Sequence, residues 1–164
     1  MISLFLGLTM ANLLLLGTVF VMGLGASQSG GAQHVTWAVA AGLLTALVHS
    51  VVYTYFMGTS RWLAAAADKA DLDSQPFIKE PLDRKKTALF VMLVPVGVTM
   101  LTMMGGAATE TLPWWPAGVH LGLGIATLLV NIGAAVWEFR LIRAQGRSMD
   151  DALALLNRKS DLAT

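Results

Sequence analysis

His49, Asn12 and Asn131 are the residues of this chain best suited to chemistry. Each interrupts a long apolar stretch, where a polar side chain is costly unless it meets a partner or a ligand. Counted at about 1.5 Å per helical residue from one end of its stretch, each lies about 12 to 15 Å in, as does Pro95 on a fourth stretch. Four stretches thus contribute one unusual residue each to a common level. There a neutral imidazole can accept from or donate to a quinone carbonyl, or relay a proton, with the amides of Asn12 and Asn131 orienting it. Ser50 and Tyr53 follow His49 by one and four residues, and Arg61 and Trp62 stand just past the end of the same stretch. These residues form the candidate ligand site. The alternative is that His49 and Asn131 only hydrogen-bond across a helix bundle and set its register.

His34 and His120 begin two stretches that run in the same direction, so they share a level at the opposite end. In an up-and-down bundle of four helices the second and fourth are diagonal. Two imidazoles can then approach a b-type haem iron from opposite sides, with Gly122 and Gly124 leaving room for the macrocycle. The spacing of His34 and His49 resembles that of the paired histidines of cytochrome b helices, over one partial helix pair. Where that pattern has a second histidine this chain has Asn131 or Ala134, so the resemblance assigns no family. The other expectation for His34 and His120 is hydrogen bonding at the membrane interface.

The chain has no cysteine, which excludes disulfides, thiolate metal sites, iron–sulfur ligation and cysteine nucleophiles. It has no phosphate-cradling glycine loop and no paired-histidine metalloprotease helix. Glu110 and Glu138 are the acids nearest the apolar stretches and lie at opposite ends, so no carboxylate pair and no intramembrane Asp, Glu, Lys or Arg is expected. Glu138, Arg140 and Arg143 read instead as an ion-pair set at headgroup level near Arg61 and Trp62, where the arginines can also take a substrate carboxylate or an anionic lipid. The expectation is a chain without catalytic or metal-binding residues. A formal net charge of +1 with interleaved acids leaves no basic surface for nucleic acid.

The elements that hold these residues are membrane helices. With 55% apolar and 13% charged residues and a mean hydropathy of +0.65, lipid is the solvent for most of the 164-residue chain. Four stretches, 2–24, 34–57, 87–107 and 116–139, reach the roughly 20 residues that a bilayer core requires. All 11 Lys and Arg residues fall within 61–86 and 140–159. Basic loops stay cytoplasmic, which puts both termini and the loop 58–86 inside, and residues 25–33 and 108–115 outside, a bacterial-type plasma membrane. Trp37, Trp114 and Trp115 mark the outer headgroup layer and Trp62 the inner one. No basic region precedes the first stretch, which is longer than a signal-peptide core, so it is expected to be retained as a span.

The expected fold class is all-α: an up-and-down bundle of four transmembrane helices over residues 1–139, with a cytoplasmic tail over 140–164. The second span is expected to continue as helix through the alanine run 64–67 to Asp68. Pro76, Pro81 and mixed charges then break regularity into a solvated connector, or into a docking surface for another protein. Beyond Phe139 the helix should run to Gly146, with Ser148 capping a short amphipathic helix that rests Met149, Leu153 and Leu156 on the membrane or binds them to a partner subunit.

Small residues every four positions, Ala38, Gly42, Ala46 and Ser50 on the second span and Gly118, Gly122 and Ala126 on the fourth, read as helix contact faces. The first expectation for function is a small non-catalytic subunit or scaffold, partnered by membrane lipids and by other membrane subunits or copies of itself. The second is a quinone- or haem-associated electron-transfer subunit working at the level of His49. The third is a small oligomeric channel or transporter lined by Asn12, Asn131 and the threonines of the third span.

Overall fold

Apolar residues without interruption by charge can satisfy their backbone only as helix in lipid, and the chain is helical nearly throughout. The computed structural model describes residues 1–29 and 31–161, with the side chains of all of these except 26–29. The helices are α1 (Ile2–Ser29), α2 (Gly31–Ala70), α3 (Glu80–Thr111) and α4 (Ala117–Asp161), with a π-helical turn at Gln75–Lys79 leading into α3. All four are long and apolar enough to cross a membrane. In the bundle, α2 and α4 touch each other and both remaining helices, while among the described residues α1 and α3 do not meet. The α2–α4 diagonal is therefore the short one, and residues on it face each other across the core.

Residues 69–86 do not form the irregular connector expected after Asp68. Helix α2 runs to Ala70, and only residues 71–74 separate it from the π-helical turn. It ends in a Schellman motif, in which the Asp71 amide donates to the Asp68 carbonyl and the Leu72 amide to the Ala67 carbonyl, with Asp71 in the left-handed region at φ 51°. The Lys159 ammonium donates to the carbonyl of Ala70, a further link from the end of α4. Pro76 and Pro81 fall in the first turns of helical segments, where their missing amides cost nothing.

The tail is likewise not a separate helix. Helix α4 passes through Gly146 and Ser148 without a break. Tertiary packing holds it: Ala152 is fully buried with Leu63, Ala67 and Phe77, and Met149, Leu155 and Leu72 pack around them. That burial outweighs the roughly 1 kcal/mol that a glycine costs inside a helix. Met149 therefore packs inward rather than on a membrane surface, and Leu153 is left exposed. Gln145, completely buried, receives Arg84 Nε on its carbonyl at 2.9 Å and donates to Thr59 at 3.0 Å, tying α4 to α3 and α2. Burial pulls the Arg84 guanidinium below its ordinary range, and Glu80 beside it opposes that shift.

At the other end, α1 and α2 extend into the expected 25–33 loop, whose centre lies outside the described residues. Of the two small-residue stripes, α2 does use Gly42: a Cβ there would lie 2.6 Å from Met103 Sδ on α3. On the α4 stripe Ala126 is half-buried, whereas Gly118 and Gly122 are exposed and a Cβ on either would meet nothing within 4 Å among the described residues.

Candidate functional site

Along the core face of α4, His120, Thr127, Asn131, Glu138 and Gln145 recur at steps of seven and four residues, which is one side of a helix. Four of them, all but His120, are buried. The centre of this line is Glu138, 0% exposed, whose Oε1 lies 2.7 Å from Nδ1 of His49 on α2, itself 2% exposed. The expectation that no acid lies among the core residues of the spans is thereby corrected. Because α4 continues far beyond Phe139, Glu138 is not at a helix end, and its rotation places it two turns from Asn131 on the same inward face.

The hydrogen bonds around Asn131 select the proton on one ring nitrogen of His49. Asn131 Nδ2 donates to the Thr127 carbonyl at 2.9 Å, an atom that can only accept, and reaches Thr99 Oγ1 at 3.4 Å. Its Oδ1 therefore faces Nε2 of His49 at 3.4 Å and Nδ2 of Asn12 at 3.4 Å. Asn12 is held in turn by Thr45, which donates to its Oδ1 at 3.0 Å. An acceptor opposite Nε2 selects the tautomer with the proton on Nε2. The remaining contact, Nδ1 to Glu138 Oε1, then requires one proton. That proton rests on the carboxyl, with both groups neutral, or on the imidazole, with both charged, and no heavy atom has to move between the two. Glu138 Oε2 is buried and has no hydrogen-bond partner among the described residues.

The arrangement is polar on one side and apolar on the other. Towards the end that carries His34 and His120, Thr127 Oγ1 meets Thr102 Oγ1 at 2.6 Å, and Thr102 also reaches the Leu123 carbonyl at 3.1 Å. Towards the basic end, Phe5, Val52, Phe56, Ala88 and Ile142 form a buried apolar cluster, with Ile142 on α4 between Glu138 and Gln145.

Of the residues singled out by the sequence, His49, Asn12 and Asn131 come together. Ser50, Arg61 and Trp62 are exposed, and Tyr53 takes no part in the network. Thr99, one of the threonines of the third span, completes the site with Thr45, Thr127 and Glu138, and the last three were not anticipated there. The headgroup set of Glu138 with Arg140 and Arg143 does not form, because the carboxylate turns inward and both arginines stay outside.

His34 and His120 do meet, with ring centroids 6.2 Å apart at an interplanar angle of 74°, an edge-to-face contact. Each ring is seated on a glycine: a Cβ on Gly23 or on Gly106 would come within 3.0 Å of His34 Cε1 or His120 Cε1. Gly124 faces Phe20, and Gly122 points away from the core. The rings touch where a macrocycle would have to pass, so these residues do not fit a haem. Nor does His49 present a free nitrogen to a quinone carbonyl, since Glu138 and Asn131 engage both. Asn131 bonds to both Asn12 and Thr99 in the core of the bundle.

Comparison with known family models, curated proteins and solved structures finds no match to this chain.

Proposed function

We propose that this chain is an integral protein of a bacterial-type plasma membrane, crossing it four times with both termini in the cytoplasm, and that it works as a proton-relay subunit. The observation that carries the reading is the fully buried Glu138 carboxyl 2.7 Å from His49, in helices long and apolar enough to span a bilayer. A buried ionisable pair is a poor way to gain stability, because apolar residues of the same volume serve as well or better. Ionisable groups inside membrane helices therefore mark proton or ion pathways. The polar line from Asn131 to Thr102 supports access from the outer side, and the cluster of Phe5, Val52, Phe56, Ala88 and Ile142 supports a barrier on the inner side.

Purified protein reconstituted into liposomes loaded with a pH-sensitive dye tests this. Under an imposed potential the wild type should pass protons faster than protein-free liposomes, Glu138→Gln should abolish the excess, and Ser50→Ala should retain it. Equal flux in the wild type, Glu138→Gln and empty liposomes sinks the reading.

The outward face of α4 supports a second element of the proposal, assembly with another copy of the chain. Gly118 and Gly122 leave the backbone open to close approach by a neighbouring helix. Disulfide-linked dimers should form in membranes through a cysteine in place of Gly122, and not through one in place of the buried Ala134.

A further inference from the structure

A groove of about 560 Å³ runs between the start of α1 and the middle of α4, within the roughly 300 to 1,000 Å³ range of small-ligand sites. Its walls are apolar, with Leu6, Met10 and Leu13 on α1 and Val136 on α4. Its basic end is lined by Arg140, Arg143 and Arg147, which steps of three and four residues put on one face of α4. None of the three forms an ion pair among the described residues. The Arg143 guanidinium lies 5.6 Å from the centre of the Phe139 ring, which holds it at the groove.

Three arginines without counter-ions at the mouth of an apolar groove match one ligand chemistry, a phosphate or phosphodiester joined to hydrocarbon. From this groove we infer that the chain holds one anionic phospholipid, its phosphate on Arg140, Arg143 and Arg147 and its acyl chain along Leu6, Met10 and Val136. The inference rests on the membrane reading above and is independent of the proton relay. The Glu138 carboxylate does not compete for these arginines, since it faces His49 on the other side of α4.

Native mass spectrometry of the detergent-purified chain tests this with three probes: phosphatidylglycerol, phosphatidylcholine and inorganic phosphate. Phosphatidylglycerol should bind with a stoichiometry of one and in preference to phosphatidylcholine, and inorganic phosphate should not displace it. Each Arg→Gln change at 140, 143 or 147 should weaken binding about fivefold, the effect of one basic residue near an anionic headgroup. Arg61→Gln, away from the groove, should leave binding unchanged. Equal binding of the two lipids, or full binding by the triple Arg→Gln variant, overturns the site. Displacement by inorganic phosphate overturns the lipid in favour of a soluble anion. A chain that disperses without detergent contradicts the membrane reading itself.

Discussion

At the scale of the residue, the His49–Glu138 contact decides how the core behaves. Removing one partner leaves the other buried and unpaired, so His49→Leu should destabilise the protein by about 3–5 kcal/mol. Glu138→Gln is different, because the tautomer set by Asn131 leaves Nδ1 as an acceptor and the new amide can donate to it. Its cost should stay near the roughly 1 kcal/mol of one altered hydrogen bond. His49→Leu combined with Glu138→Leu should recover most of the loss, since an apolar pair has nothing left to satisfy. Thermal unfolding in detergent of both single variants and the double variant measures the coupling. Additive losses would show that the two side chains do not act as a unit. This residue pair was half legible in the sequence. His49, Asn12 and Asn131 stand out as polar residues deep in apolar stretches, whereas Glu138 sits beside Arg140 and Arg143 and takes on their apparent surroundings. The signal that identifies it is periodic: Asn131, Glu138 and Gln145 are each seven residues apart, so they share the buried face.

At the scale of the element, hydropathy located all four helices but stopped the second and fourth, and started the third, where charge begins. Charge ends a lipid-solvated span without ending a helix, and outside the apolar stretches the helix is kept by contacts remote in sequence. Leu63, Ala67 and Ala152 meet across α2 and α4 over a separation that local propensity does not register. Gly146 and Ser148 look like a stop and a cap, and Pro76 and Pro81 like breakers, until packing and position in the first turn override them. Two substitutions test this. If α4 is continuous, Gly146→Ala should stabilise the protein by about 0.5–1 kcal/mol, because a Cβ there meets nothing within 4 Å. Asp71→Gly should also stabilise, by up to about 1 kcal/mol, by relieving a left-handed conformation that suits glycine better. A loss of stability in Gly146→Ala, read from the unfolding midpoint, would mean that the chain needs a bend there.

At the scale of the whole molecule, helix length and charge are asymmetric in the same direction. Helices α2 and α4, of 40 and 45 residues, measure about 60 and 67 Å, against about 30 Å of bilayer hydrocarbon. The surplus lies at one end, where α2 continues from Phe56 to Ala70 and α4 from Ile142 to Asp161, and there, with the π-helical turn and the start of α3, they form a helical projection that carries every Lys and Arg residue except Arg140. The opposite end closes with the short link between α3 and α4 at 112–116 and with exposed Trp37 and Trp114. If the projection is cytoplasmic, single cysteines in this cysteine-free chain will report it. An impermeant maleimide added to intact cells should label Leu112→Cys and spare Ser74→Cys, and both should react after lysis. The reverse pattern would invert the topology. It would also turn the polar side of the His49–Glu138 pair towards the cytoplasm and its apolar barrier outwards, so the direction of proton access stands on the same measurement.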